Sequence, residues 1–99
     1  MLTSDNPMTI ELSGTPVLFF LTTVTTDGTD SVMLFNAIRL TSSYSLTGLK
    51  LNSSSSSNTG NIYTSAAYVK KSGNSLVFYD RWNSGVNQRQ TYNWIAITI

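Results

Sequence analysis

The last eleven residues, Arg89-Gln90-Thr91-Tyr92-Asn93-Trp94-Ile95-Ala96-Ile97-Thr98-Ile99, constrain the fold more than any other stretch. Successive side chains of an extended strand point to opposite sides. Ile95, Ile97 and Ile99 therefore share one face, and Tyr92, Trp94 and Ala96 share the other. Nothing here repeats with a helical period, so the stretch reads as a strand with two apolar faces. A sandwich core accounts for one face. The other needs a second cover, and in a chain of 99 residues the natural candidate is another copy of the same chain. The alternatives are a central strand or a residual exposed patch.

The same two-faced character recurs upstream. Val17 to Thr25 places Val17, Phe19 and Leu21 on one side and Leu18, Phe20 and Val24 on the other. Thr26-Asp27-Gly28-Thr29 then supplies an Asp-Gly hairpin signal, and Ser31 to Leu40 reads as the return strand. Met8 to Ser13 alternates as a half-buried strand and runs into a Ser13-Gly14-Thr15-Pro16 turn signal. Leu46 to Leu51 is a strand with Gly48 inside it, which predicts a bulge or a close backbone approach. Asn52 to Gly60 is a low-complexity run expected to form a surface loop. Asn61 to Lys70, Ser75 to Trp82 and Arg89 to Ile99 complete the strands, with a tight turn at Lys71-Ser72-Gly73-Asn74. The prediction is one all-β domain over residues 8–99, an antiparallel sandwich of six or seven strands. Residues 1–7 form a leader, and a hairpin or loop is inserted around 52–75.

Composition narrows the functions available. Lys and Arg exceed Asp and Glu by one, and charged residues are only 11%. No basic patch marks a nucleic-acid partner. No apolar segment approaches the roughly 18 residues that span a bilayer as a helix, so membrane insertion is not expected. No basic and apolar leader of the secretory kind is evident at the N-terminus. The chain has no cysteine and no histidine, which leaves no thiolate and removes the commonest general base and metal ligand. Asp27-Gly28-Thr29-Asp30 lacks the ligand spacing of a calcium loop. No serine has a nearby base and no phosphate-cradling glycine loop occurs. The sequence points away from an enzyme, and no cofactor or metal is expected. Ser, Thr and Asn number 15, 14 and 9, a composition that suits strands, turns and an extracellular surface.

Binding remains. Sugar sites combine an aromatic face with polar groups that hydrogen-bond hydroxyls. Asp80, Arg81, Trp82, Asn83, Gln88 and Arg89 gather such groups at one strand–loop–strand corner. The competing explanation makes Trp82 a core or interface aromatic and the polar residues a solvated loop.

Several short pieces resemble a known family. They are Thr15-Pro16-Val17 ahead of an apolar strand, Arg39-Leu40, Thr47-Gly48-Leu49-Lys50, Trp82, and the terminal Asn93-Trp94-Ile95-Ala96-Ile97. Together they are similar to the H-type lectin domain, over residues 15–51 and 76–99. That resemblance implies a six-stranded antiparallel sandwich assembled as a trimer, with sugars bound in clefts between protomers. It places Asn83 and Gln88 near the sugar and adds Arg39 through its Arg-bearing strand. Related domains form receptor-binding tips at the ends of bacteriophage tail fibres. The cysteine-free, Ser/Thr/Asn-rich composition and a sequence that closes on the strand fit that setting better than an animal lectin. The expected partner is then a bacterial cell-surface polysaccharide or lipopolysaccharide, and the expected location is the extracellular virion. The insertion around 52–75 departs from the family pattern. Asn83 cannot reproduce an imidazole stacking contact, so a preference for N-acetylgalactosamine does not carry over. The alternative is a structural trimerisation cap, or a virion protein-interaction module without glycan binding.

Overall fold

The computed structural model describes residues 2–25, 30–50, 61–81 and 89–99. These contain seven strands and no helix: β1 (Met8–Glu11), β2 (Pro16–Thr25), β3 (Asp30–Asn36), β4 (Ser45–Lys50), β5 (Asn61–Ser72), β6 (Ser75–Asp80) and β7 (Arg89–Thr98). Every pairing is antiparallel, in the order β1-β6-β5-β4-β3-β2-β7. The ladder is arranged as two antiparallel sheets of four strands each, a sandwich-like architecture. Four and four out of seven requires one shared strand, and β4 is the middle of the order.

The bend that turns one ladder into two layers lies in β5. Ser45 pairs with Val69 and Thr47 with Thr64, so β5 advances five residues while β4 advances two. Such an irregularity twists a strand out of its sheet and lets it turn a corner. The far end of β5 then pairs with β6 from Ala67 to Ser72. The β5–β6 connection is a two-residue loop, with Ser72 opposite Ser75 and Gly73 at a φ of 61°. Asn74 keeps a negative φ, so only the first central residue is left-handed, which is the type II′ pattern.

The layers close on an aromatic line. Phe19 on β2 sits 6.0 Å from its cross-strand neighbour Phe35 and 5.7 Å from Phe78 on β6. Phe78 lies 6.0 Å from Tyr92 on β7. Three strands, β5, β4 and β3, separate β2 from β6 along the ladder order, so these contacts cross the sandwich interior. Leu21, Met33, Val69 and Leu76 are fully buried beside them. Gly48 is buried against the Phe35 ring. A Cβ built at Gly48 would lie 3.1 Å from that ring, so the expected close approach is present. Gly48→Ala should lower stability by about 1–3 kcal/mol, because a buried ring must shift to admit the methyl. Chemical denaturation measures this, and an unchanged midpoint would refute it.

Two departures from the strand and leader readings have a visible physical cause. The return strand ends at Asn36 rather than Leu40. The Asn36 side-chain Oδ1 accepts the Ile38 N–H at 3.2 Å, and the Arg39 N–H donates to the Asn36 carbonyl at 3.1 Å. Asparagine here captures the backbone locally and ends the ladder. The segment read as a leader also packs onto the body. Thr3 and Asn6 exchange backbone hydrogen bonds, Leu2 packs against the core, and the Asp80 N–H donates to the Leu2 carbonyl. Within the insertion, residues 61–72 form a full strand of the ladder, whereas 52–60 lie outside the described residues, as does the Asp27-Gly28 turn.

Candidate functional site

At the corner singled out by sequence, β6 ends beside β7. Asp80 is 4% exposed, and its Oδ2 accepts the Tyr92 hydroxyl at 3.0 Å. That hydroxyl also accepts the Leu2 N–H at 3.3 Å. Asp80 thus ties the N-terminal segment, β6 and β7 together from inside. Burial of a carboxylate is costly unless it is hydrogen-bonded, and the tyrosine supplies part of that satisfaction. Arg81, the next residue, is exposed. Arg89 opens β7, with its backbone opposite Thr25. Trp82, Asn83 and Gln88 lie outside the described residues.

Arg39 stands elsewhere. It is exposed in the turn after β3, whose Ala37 carbonyl accepts the Lys71 Nζ at 2.9 Å. Lys71 pairs with Leu76 near the start of β6, and Asp80 ends that strand. At about 3.3 Å per residue the two positions differ by roughly 13 Å along β6. Within one chain, Arg39 therefore lies near the start of β6, and Asp80 ends that strand. Arg39 instead borders an open groove of about 990 Å³ whose apolar lining includes Leu18, Leu34, Ile38 and Leu49.

That groove belongs to a larger apolar face. In the register, Leu18 opposes Ile97 and Phe20 opposes both Ile95 and Leu34, all on the side away from the aromatic core. Ile95 and Ile97 are 65% and 44% exposed. On the inner side of β7, Tyr92 and Ala96 pack against the core as expected, yet Trp94 remains 41% exposed. β7 is the last strand of the order, so its inner side is covered only partly.

The second sheet carries a different surface, which the sequence reading did not single out. Tyr68 and Tyr79 are cross-strand partners on β5 and β6, stacked with ring centroids 4.9 Å apart and 22° between planes. Tyr44 meets Tyr79 edge-on at 4.8 Å. Lys70 Nζ lies 4.7 Å from the centroid of the Tyr44 ring. Period-two spacing of Tyr68 with Lys70 was available in the sequence, but the arrival of Tyr44 and Tyr79 depends on the ladder.

Among the described residues, no group of three His, Cys, Asp or Glu side chains could hold a metal ion. No helix of the described residues is long and apolar enough to cross a membrane. No family profile matches the chain, and no curated protein or solved structure matches it.

Proposed function

We propose that the chain is a self-associating, H-type lectin-like β-sandwich that acts as a homotrimeric receptor-binding tip. In this reading it belongs to a bacteriophage tail fibre, on the extracellular virion, and recognises a bacterial surface polysaccharide or lipopolysaccharide. It is a binding module and not an enzyme. The observation that carries the self-association is the outer face of β7 and β2, with its exposed Ile95 and Ile97 beside Leu18 and Phe20. β7 adds a second reason. It is an edge strand of ten residues, with no charge and no proline after Arg89. Natural edges are usually blunted by such residues when they must stay unpaired. An undefended apolar edge suits a neighbouring copy.

The glycan part of the reading rests on the aromatic–polar composition of residues 80–89 and on the lectin-like motifs. Pro16 and Thr98 pair across β2 and β7, so the Pro-Val and Trp-Ile-Ala-Ile pieces belong to adjacent strands. Single sugar sites are weak, and three per assembly would gain from avidity. Binding to an array of bacterial glycans should fall at least roughly tenfold in both Trp82→Ala and Asn83→Ala, the loss of one good stacking or hydrogen-bonding anchor. Unchanged binding in both variants would remove this corner as the site. A structural cap without glycan binding is the second reading, favoured by Asp80, whose carboxylate faces Tyr92 rather than solvent.

A further inference from the structure

The two sheets present outer faces of different chemistry. The β2–β7 face is apolar and suits a second copy of the chain. The β5–β6 face gathers three half-buried tyrosines and a lysine, at Tyr44, Tyr68, Tyr79 and Lys70. Tyrosine is an economical recognition residue, because one rigid ring offers both apolar area and a hydroxyl. Tyr79 is flanked by both other rings, and its phenol is held above its ordinary range by burial and then by the neighbouring Tyr68 and Tyr44. The Tyr79 hydroxyl therefore stays a donor well into alkaline solution.

The lysines divide their work. Lys71 turns its Nζ onto the Ala37 carbonyl and helps close the sandwich end. Lys70, one residue earlier, points to the opposite side and rests over Tyr44. Among the described residues no carboxylate pairs with Lys70. Its charge is delivered to an aromatic surface rich in hydroxyls.

We propose that Tyr44, Tyr68, Tyr79 and Lys70 form a saccharide site that shares no residue with the 80–89 set, selective for an acidic pyranose such as a hexuronic acid unit. The rings cover the C–H face of the sugar, the phenols exchange hydrogen bonds with its hydroxyls, and the ammonium takes its carboxylate. The inference rests on saccharide recognition as the function, but on none of the residues that the corner would use.

The test is an NMR titration of the full-length chain with methyl β-D-glucuronide and, in parallel, methyl β-D-glucoside. The glucuronide should shift the ring signals of Tyr44, Tyr68 and Tyr79, weaken with added salt, and bind at least roughly tenfold tighter than the glucoside, the worth of one charge-assisted contact. Lys70→Gln, an exchange on a partly exposed strand position, should erase that preference while the thermal midpoint stays close to wild type. Tyr79→Phe should weaken both sugars and leave the stack in place. Glucuronide binding that shifts the Trp82 indole, vanishes in Trp82→Ala and ignores Lys70→Gln overturns this site while keeping the corner. Tyrosine shifts without a preference for the acid overturn the stated selectivity. No shift of the tyrosines up to the solubility limit of the glucuronide overturns the inference, whatever happens at the corner.

Discussion

Ile97→Asp should sediment as a monomer of 10.9 kDa, where the trimer proposed for the unmodified chain would sediment at three times that mass. The expectation follows from the register. Ile97 stands opposite Leu18 on the outer side of β2 and β7, next to the Ile95–Phe20 pair. Full burial of an isoleucine contributes roughly 1.5–3 kcal/mol. A carboxylate in the same place reverses that gain and adds desolvation without a partner. Every copy carries the change, so each contact of a closed ring loses it, and the assembly constant should fall by several orders of magnitude. Ile97 is 44% exposed within one chain, so the monomer itself should remain folded. Analytical ultracentrifugation at micromolar concentration decides the matter. A wild-type chain that runs as a monomer removes the trimer and any cleft between protomers together. An oligomer that survives Ile97→Asp moves the contact away from this face.

The parts legible in the sequence are those that depend on neighbours along the chain. Alternation located seven strands. The Gly73-Asn74 turn followed from residue type, because glycine alone adopts the positive φ at no cost. Gly48 was recognisable because a glycine inside a strand usually admits another group, here the Phe35 ring. The two apolar faces of β2 and β7 were visible for the same reason. What stayed hidden depends on the ladder order. The polar character of Asp80 suggests a surface group, yet Tyr92 reaches it from another strand and holds it inside. Trp94 shares its face with Tyr92 and Ala96, but edge position leaves it partly open. Asn36 ended β3 early through a side-chain bond that alternation does not report. The tyrosine cluster draws on Tyr44, Tyr68 and Tyr79 from three segments, so no window of sequence contains it.

Two phenylalanines separate the face that folds the chain from the face proposed to assemble it. Phe78 is fully buried, with Phe19 and Tyr92 on either side, and it joins the two sheets. Phe78→Ala removes that link and leaves a cavity that the flanking strands cannot close without breaking their ladders. Such truncations cost about 3–5 kcal/mol, against a total stability on the order of 5–15 kcal/mol for a single domain. At roughly 4–8 °C per kcal/mol for a domain of this size, the thermal midpoint should fall by well over 10 °C. Tyr92 also loses packing on the side where its hydroxyl serves Asp80 and Leu2, so the N-terminal segment should loosen with it. Phe20 carries the same side chain one position from Phe19, on the opposite face and only half-buried. In the monomeric Ile97→Asp background, Phe20→Ala should cost less than Phe78→Ala, because only part of its ring area leaves water within one chain. In the wild-type background the same change should weaken assembly. A Phe20→Ala monomer less stable than the Phe78→Ala monomer would exchange the roles of the two faces, and with them the surface that meets the neighbouring copy.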